Sequence, residues 1–330
     1  KEYRRQRQMC IRDRYKVFLN GEKITEAIFT PDYTSYNHYL MVQEYSVGSL
    51  LQGENVLTII LADGWYAGRI SVQGGSAQFG NELSVISELT IFYNDGTSET
   101  ISTDETFIAA IGKHVYSDIF IGEKQDYRCS IPIDKIPQTN TLNVTVKTYD
   151  NSNLLLQTGP NVLEIESLKP KSIWKEKENW IIDFGQVIAG YITAELFLNS
   201  GQEISIEHGE VLDENGYFIN NIVGRNKDQI DKYVGRGKVD HFSPDFTFHG
   251  FRYIKIIGFK GEIEKENFTA KVIHSDLNET GTFNCSNEDV NKIMENIKWS
   301  QRGNLISIPT DCPQRERVGW TGDIQVCLLY

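Results

Sequence analysis

The sequence has little cysteine, and what it has is poorly placed for cross-linking. The five residues, Cys10, Cys129, Cys285, Cys312 and Cys327, are odd in number and scattered, with no C-x-x-C pair. That pattern supports neither a disulfide framework nor a structural zinc site. Reduced thiols fit a cytoplasmic protein better than a secreted one. No run of eighteen apolar residues occurs, so no membrane-spanning helix and no membrane partner are expected. The six histidines never fall at H-x-x-x-H spacing, which removes the commonest zinc-hydrolase signature. Phosphate loops, the G-x-G-x-x-G fingerprint and the G-x-S-x-G elbow are also missing. No metal and no cofactor are therefore expected. A net charge of −12 argues against nucleic acid, whose phosphates need a basic surface.

What is present is a chain of 330 residues, long enough for two or three domains. The first fourteen residues, KEYRRQRQMCIRDR, stand apart, with six Lys/Arg against Glu2 and Asp13. They lack the apolar core of a signal peptide. The string RQRQMCIRDR resembles translated sequencing-adapter sequence, so residues 1–14 are expected to be a non-native or disordered leader.

From residue 15 the pattern is short strands. Residues 15–19 alternate and run into Asn20-Gly21, a two-residue hairpin signal. Residues 56–61 form a compact apolar run, 89–93 lead into the turn Asn94-Asp95-Gly96, and 142–149 alternate again. Strands at this spacing predict a β-sandwich over 15–165. The polar stretch 150–153 and Lys169-Pro170-Lys171 mark a boundary region. Strands resume over 166–275, clearest at 180–184, 191–198, 203–208 and 252–257, and predict a second sandwich of jelly-roll type.

Helical periodicity first appears after Ser286. Ser286 with Asp289 fits a capping box, and Val290, Ile293, Met294 and Ile297 then fall on one helical face. The helix is expected to reach about Gln301. The apolar run 326–329 reads as a second helix cut short, so 276–330 is expected to open a helical domain that continues beyond Tyr330.

Between these helices lies Pro309-Thr310-Asp311-Cys312-Pro313-Gln314-Arg315-Glu316-Arg317-Val318-Gly319-Trp320-Thr321-Gly322-Asp323. Pro313, Gly319 and Gly322 disfavour helix, so this is a loop. Loops carry chemistry when a rigid scaffold positions them. Glycoside hydrolysis needs one carboxylic acid kept protonated near neutral pH, and clustered, buried carboxylates supply that condition. Arg315 and Arg317 oppose it, so the sign of the shift depends on which side chains point inward. Asp and Arg can bond sugar hydroxyls, and Trp320 offers a ring face. A generic run of this kind is more often a solvated turn.

PTDCPQRERVGWTGD, however, resembles the signature of family-78 α-L-rhamnosidases almost residue for residue. Many members carry an extra acidic residue before the Glu-Arg pair, whereas here Arg315 precedes Glu316 directly. The stretches 53–69, 118–128, 183–186, 209–212 and 248–253 are similar to the β domains that precede the motif in that family. The resemblance implies a mostly β chain of two sandwiches leading into a truncated (α/α)6 toroid. It implies Glu316 as general acid and Asp311, Arg315, Trp320 and Asp323 as rhamnose-binding residues. The implied reaction is inverting hydrolysis of terminal α-L-rhamnosides. Its partner would be a rhamnose-containing glycoside, and a homodimer is an arrangement open to the full-length protein. The family's base is a Glu later in the toroid that no residue here matches, so the chain alone is expected to be inactive. The rival reading is a non-catalytic carbohydrate-binding pair of sandwiches. Asp63-Gly64-Trp65-Tyr66 could form a sugar platform for it, although a buried structural Trp fits that position better. His249, in an aromatic strand, reads as a core or edge histidine rather than a base.

Overall fold

The computed structural model describes residues 4–11, 13–70, 75–148, 151–222 and 229–327. The first part is built from small antiparallel sheets. The hairpin expected at Asn20-Gly21 is present: Arg14–Leu19 pairs with Glu22–Lys23 on one side and Leu57–Ala62 on the other. Tyr15 and Val17 point inward from it, as the alternation requires. A five-stranded sheet runs in the order Leu154–Leu156, Leu40–Tyr45, Arg4–Ile11, Val85–Phe92, Ser98–Ser102.

That order departs from the expected leader. Arg4–Ile11 is the central strand, paired antiparallel with Leu40–Tyr45 and Val85–Phe92. Backbone pairing needs no apolar side chains, so a basic string can satisfy two strand edges that would otherwise stand open. Asp13 and Arg14 are fully buried, each 1% exposed. The Arg14 guanidinium lies 4.0 Å from the Phe29 ring centre and 4.1 Å from that of Trp65, and it donates to the Phe246 carbonyl. Trp65, itself 2% exposed, is thus a core residue and not a sugar platform.

The second part is a ten-stranded sheet around one long strand, Asn179–Leu198. Its first half pairs with Ser172–Glu176 and His249–Ile257, its second with Lys238–Phe242 and Phe268–Ser275. The sequence reads it as two strands, 180–184 and 191–198, on either side of Gly185 and Gln186, and the register shifts there, between Asp183 and Ile188. The bulge bends the strand without breaking it. Ile182, Phe242, Phe251, Ile254, Ile256 and Phe268 form a core with no exposed surface. Each contributes about 1.5–3 kcal/mol by burial.

Two further differences concern the boundary between the parts. Val162–Leu168 spans residue 165 and pairs with Phe268–Ser275. The hairpin His114–Asp118/Gly122–Asp126, which lies inside the first unit by sequence, joins the second sheet, parallel to Ile230–Val234. The two β units therefore share a sheet. The alternation at 142–149 yields only Thr141–Leu142, paired with Ala109–Ala110, with Val144 and Val146 exposed; Tyr149 and Asp150 fall outside the described residues.

The chain then becomes helical. Helix α1 spans Glu288–Gly303, two residues beyond the expected end. Its cap is Asn287 rather than Ser286, with the Asn287 side chain accepting from the Asp289 and Val290 N–H groups at 2.9 and 3.3 Å. Trp299 packs on the sheet core, while Val290 and Ile293 face solvent. Helix α2 spans Thr321–Cys327, and residues 328–330 lie outside the described residues.

Candidate active site

The motif loop hangs between α1 and α2. A short hairpin, Leu305–Ile306 against Ile308–Pro309, leads into it. The Thr310 N–H donates to the Asn304 carbonyl at 2.8 Å, and Thr310 bridges Gly319 across the loop mouth. The Trp320 N–H closes the loop on the Pro309 carbonyl at 3.2 Å. Ten residues are thereby held as a loop with fixed ends.

Within it, adjacent residues face opposite ways. Glu316 lies on the open side. It accepts from Arg315 Nη2 at 3.2 Å and from the Trp320 indole N–H at 3.0 Å. Asp311 lies beside it, half-buried, with Oδ1 out of reach of solvent. Burial first, and the adjacent Glu316 carboxyl second, raise the Asp311 pKa above its ordinary value. The Glu316 backbone N–H donates to Cys312 Sγ at 3.3 Å. The Trp320 ring is 50% exposed and presents an open apolar face next to the two carboxyls. The structure thus gathers Asp311, Arg315, Glu316 and Trp320. Asp323 stands in the first turn of α2 and is not among the partners of Glu316.

Arg317 turns inward. It is 1% exposed and occupies a left-handed backbone conformation at φ 50°. Its Nε donates to Pro313 O at 2.9 Å, and its Nη2 donates to Gln314 O at 3.1 Å. It also donates to Ile119 O and to Gln229 Oε1. Nη2 lies 3.5 Å from His249 Nδ1. Burial lowers its pKa to about 9, which leaves it cationic at neutral pH. The sequence marks Arg317 only as a charge near the carboxylates; that it is a buried anchor depends on contacts with residues some 70 to 200 positions away.

His249 is the core histidine that the sequence suggests. It is fully buried, bonded to Asp231 at 3.0 and 3.1 Å, and stacked on His208 at 3.8 Å. Burial pushes both imidazoles well below their ordinary pKa and raises Asp231 to about 6. These three side chains, and separately His114, Glu123 and Asp245, bring potential ligand atoms within 4.8 Å of one another. In the second group Lys16 and Lys113 Nζ already sit 2.5 and 2.8 Å from Asp245, where a cation would go.

A β-rich leading portion that ends in the first helices of a glycosidase domain is also what the comparisons with known proteins describe. Residues 13–166 match the α-L-rhamnosidase N-terminal domain, 174–274 the bacterial α-L-rhamnosidase concanavalin-like domain, and 278–329 the bacterial α-L-rhamnosidase six-hairpin glycosidase domain. An α-L-rhamnosidase of Streptomyces avermitilis is 32% identical over 321 residues, covering 94% of this chain and 31% of that protein. One from Formosa agariphila is 31% identical over 341 residues, covering 96% and 35%. Among solved structures, the native Aspergillus terreus α-L-rhamnosidase superposes with a TM-score of 0.91 at 32% identity, over 97% of this chain and 38% of that one. The Streptomyces avermitilis enzyme complexed with L-rhamnose gives 0.90 at 31% identity, over 98% and 32%. The chain belongs to the bacterial α-L-rhamnosidase family. It spans about a third of the length of these relatives.

Proposed function

We propose that the full-length protein hydrolyses terminal α-L-rhamnosides with inversion, and that Glu316 is its general acid. The observation that carries this reading is the Asp311–Glu316 pair, set beside an exposed indole at the start of a six-hairpin glycosidase domain. Burial and the adjacent Glu316 raise the Asp311 pKa, so Asp311 keeps a proton at a pH where an isolated Asp has lost its own, and its hydrogen bond with Glu316 gives that proton a path to the proposed acid. That proton is what a departing glycosidic oxygen requires. Asp311, Arg315 and Asp323 would bond rhamnose hydroxyls, and the Trp320 face would stack on the apolar side of the ring. The water-activating base, roughly 6.5–9.5 Å from the acid in an inverting enzyme, would come from a later helix pair. Residues 1–330 alone should therefore show no turnover.

Proton NMR of an aryl α-L-rhamnoside digested by the full-length protein tests the reaction. β-L-Rhamnose should appear first. Initial α-L-rhamnose would refute inversion, and no release of rhamnose would refute the substrate class.

A further inference from the structure

Arg317 offers the strongest unexplained feature of the site. Burying a guanidinium is unfavourable unless its donors are met, and a left-handed non-glycine backbone adds strain. Here acceptors surround it, from four separate stretches of chain. Pro313 and Gln314 belong to the loop itself, Ile119 to the turn of the first unit's hairpin, and Gln229 and His249 to the second sheet.

The arrangement also fixes how the buried imidazoles are protonated. His249 Nε2 lies 3.0 and 3.1 Å from the two Asp231 carboxylate oxygens, so Nε2 carries the hydrogen, and Nδ1 is left as an acceptor facing Arg317 Nη2 at 3.5 Å. Nε2 is then unavailable to a metal, and the group is a relay that orients Arg317. Asp231 is held in turn by the Glu123 N–H at 3.0 Å. A second contact pins the same loop. A Cβ on Gly250 would lie 3.0 Å from Gln314 N and 3.0 Å from Pro313 Cγ, so the loop backbone rests directly on the strand. The Gln314 side chain adds a bond to Asn221 at 3.2 Å. The loop is therefore clamped immediately before and immediately after Glu316.

We infer that Arg317, oriented by His249 and Asp231, is a positioning residue that holds the Glu316 carboxyl in its working place from the β-domain side. The inference rests on the reading of Glu316 as general acid. It implies that the β units are part of the catalytic apparatus, because the acid's position is set by their core.

The test uses the full-length protein and Arg317→Lys, which keeps the charge and loses the fork. A misplaced acid fails most where protonation of the leaving group matters most. Turnover of an alkyl α-L-rhamnoside should fall about 100-fold, and that of a dinitrophenyl α-L-rhamnoside far less. Adding Glu316→Gln to Arg317→Lys should cost little more than Glu316→Gln alone. Cys312, half-buried and in contact with the Glu316 N–H, should alkylate at least tenfold faster when followed by peptide mass spectrometry, while Cys129 and Cys285 keep their rates. If Arg317→Lys shows no cooperative thermal transition, His249→Gln, which alters only the relay, should give the same leaving-group signature more weakly. Equal losses on both substrates, or unchanged Cys312 protection, would overturn the inference. An inactive wild type would instead refute the functional reading, and the Cys312 rates would then decide the anchoring by themselves.

Discussion

The Trp320 indole N–H donates to Glu316 Oε2 at 3.0 Å, across the last turn of the motif loop. One side chain thus supplies a sugar-sized face and a donor that aims the acid. Trp320→Phe separates the two roles, because it keeps a ring and removes the N–H. A hydrogen bond to a neutral, protonated acid is worth about 0.5–1.5 kcal/mol, so turnover of an alkyl rhamnoside should fall roughly 2- to 10-fold. Steady-state kinetics on the full-length protein check this, and an unchanged kcat would remove the aiming role.

Asp13 gives a pH prediction. It accepts the Ala67 N–H at 2.8 Å, yet burial raises its pKa from 3.8 to about 6. Between those values the native chain holds a proton that the unfolded chain has released. The stability this confers is complete below the unfolded value and is lost as pH rises through about 6. Asp13→Asn does not titrate. The stability of the wild type relative to that variant should therefore fall between about pH 4 and 6, by at most about 1.4 kcal/mol per pH unit. Urea titrations across that range would show it; a constant difference would mean that Asp13 is not shifted.

Gly190 predicts a packing failure. A Cβ there would lie 1.8 Å from the Lys271 carbonyl oxygen, in the strand that pairs with both His249–Ile257 and Phe268–Ser275. Neither neighbour can retreat without breaking its ladder, so Gly190→Ala should cost about 3 kcal/mol or more. Gly53→Ala meets nothing within 4 Å and should stay within about 0.5 kcal/mol. Equal melting temperatures for the two variants would contradict this packing.

What the sequence discloses here is local. The turn at Asn20-Gly21, the apolar face of α1 and the loop character of 310–320 each follow from residues within a few positions of one another, whereas Gly322, expected to disfavour helix, lies inside α2. What it hides is pairing at a distance. The alternation at 142–148 looks like a full strand but pairs only at Leu142, with Ala109, while basic Arg4–Ile11 pairs along two strands. The hairpin 114–126 crosses into the second sheet because its partner, Ile230–Val234, lies about a hundred residues away. The site divides in the same manner. Asp311, Arg315, Glu316 and Trp320 are readable from the motif's resemblance to a known family, since their residue types alone would fit a solvated turn. Arg317 is not, because its role comes from a pocket made by Ile119, Gln229 and His249.

The central claim is that Glu316 protonates the leaving group. The measurement that tests it most directly compares Glu316→Gln with wild type in the full-length protein, on rhamnosides whose leaving groups range from dinitrophenol to a simple alcohol. The account predicts a loss of about 10²- to 10⁴-fold on the alkyl rhamnoside and a much smaller loss on the dinitrophenyl one, which needs little protonation. Wild-type turnover on both substrates, or an equal loss on both, would contradict it.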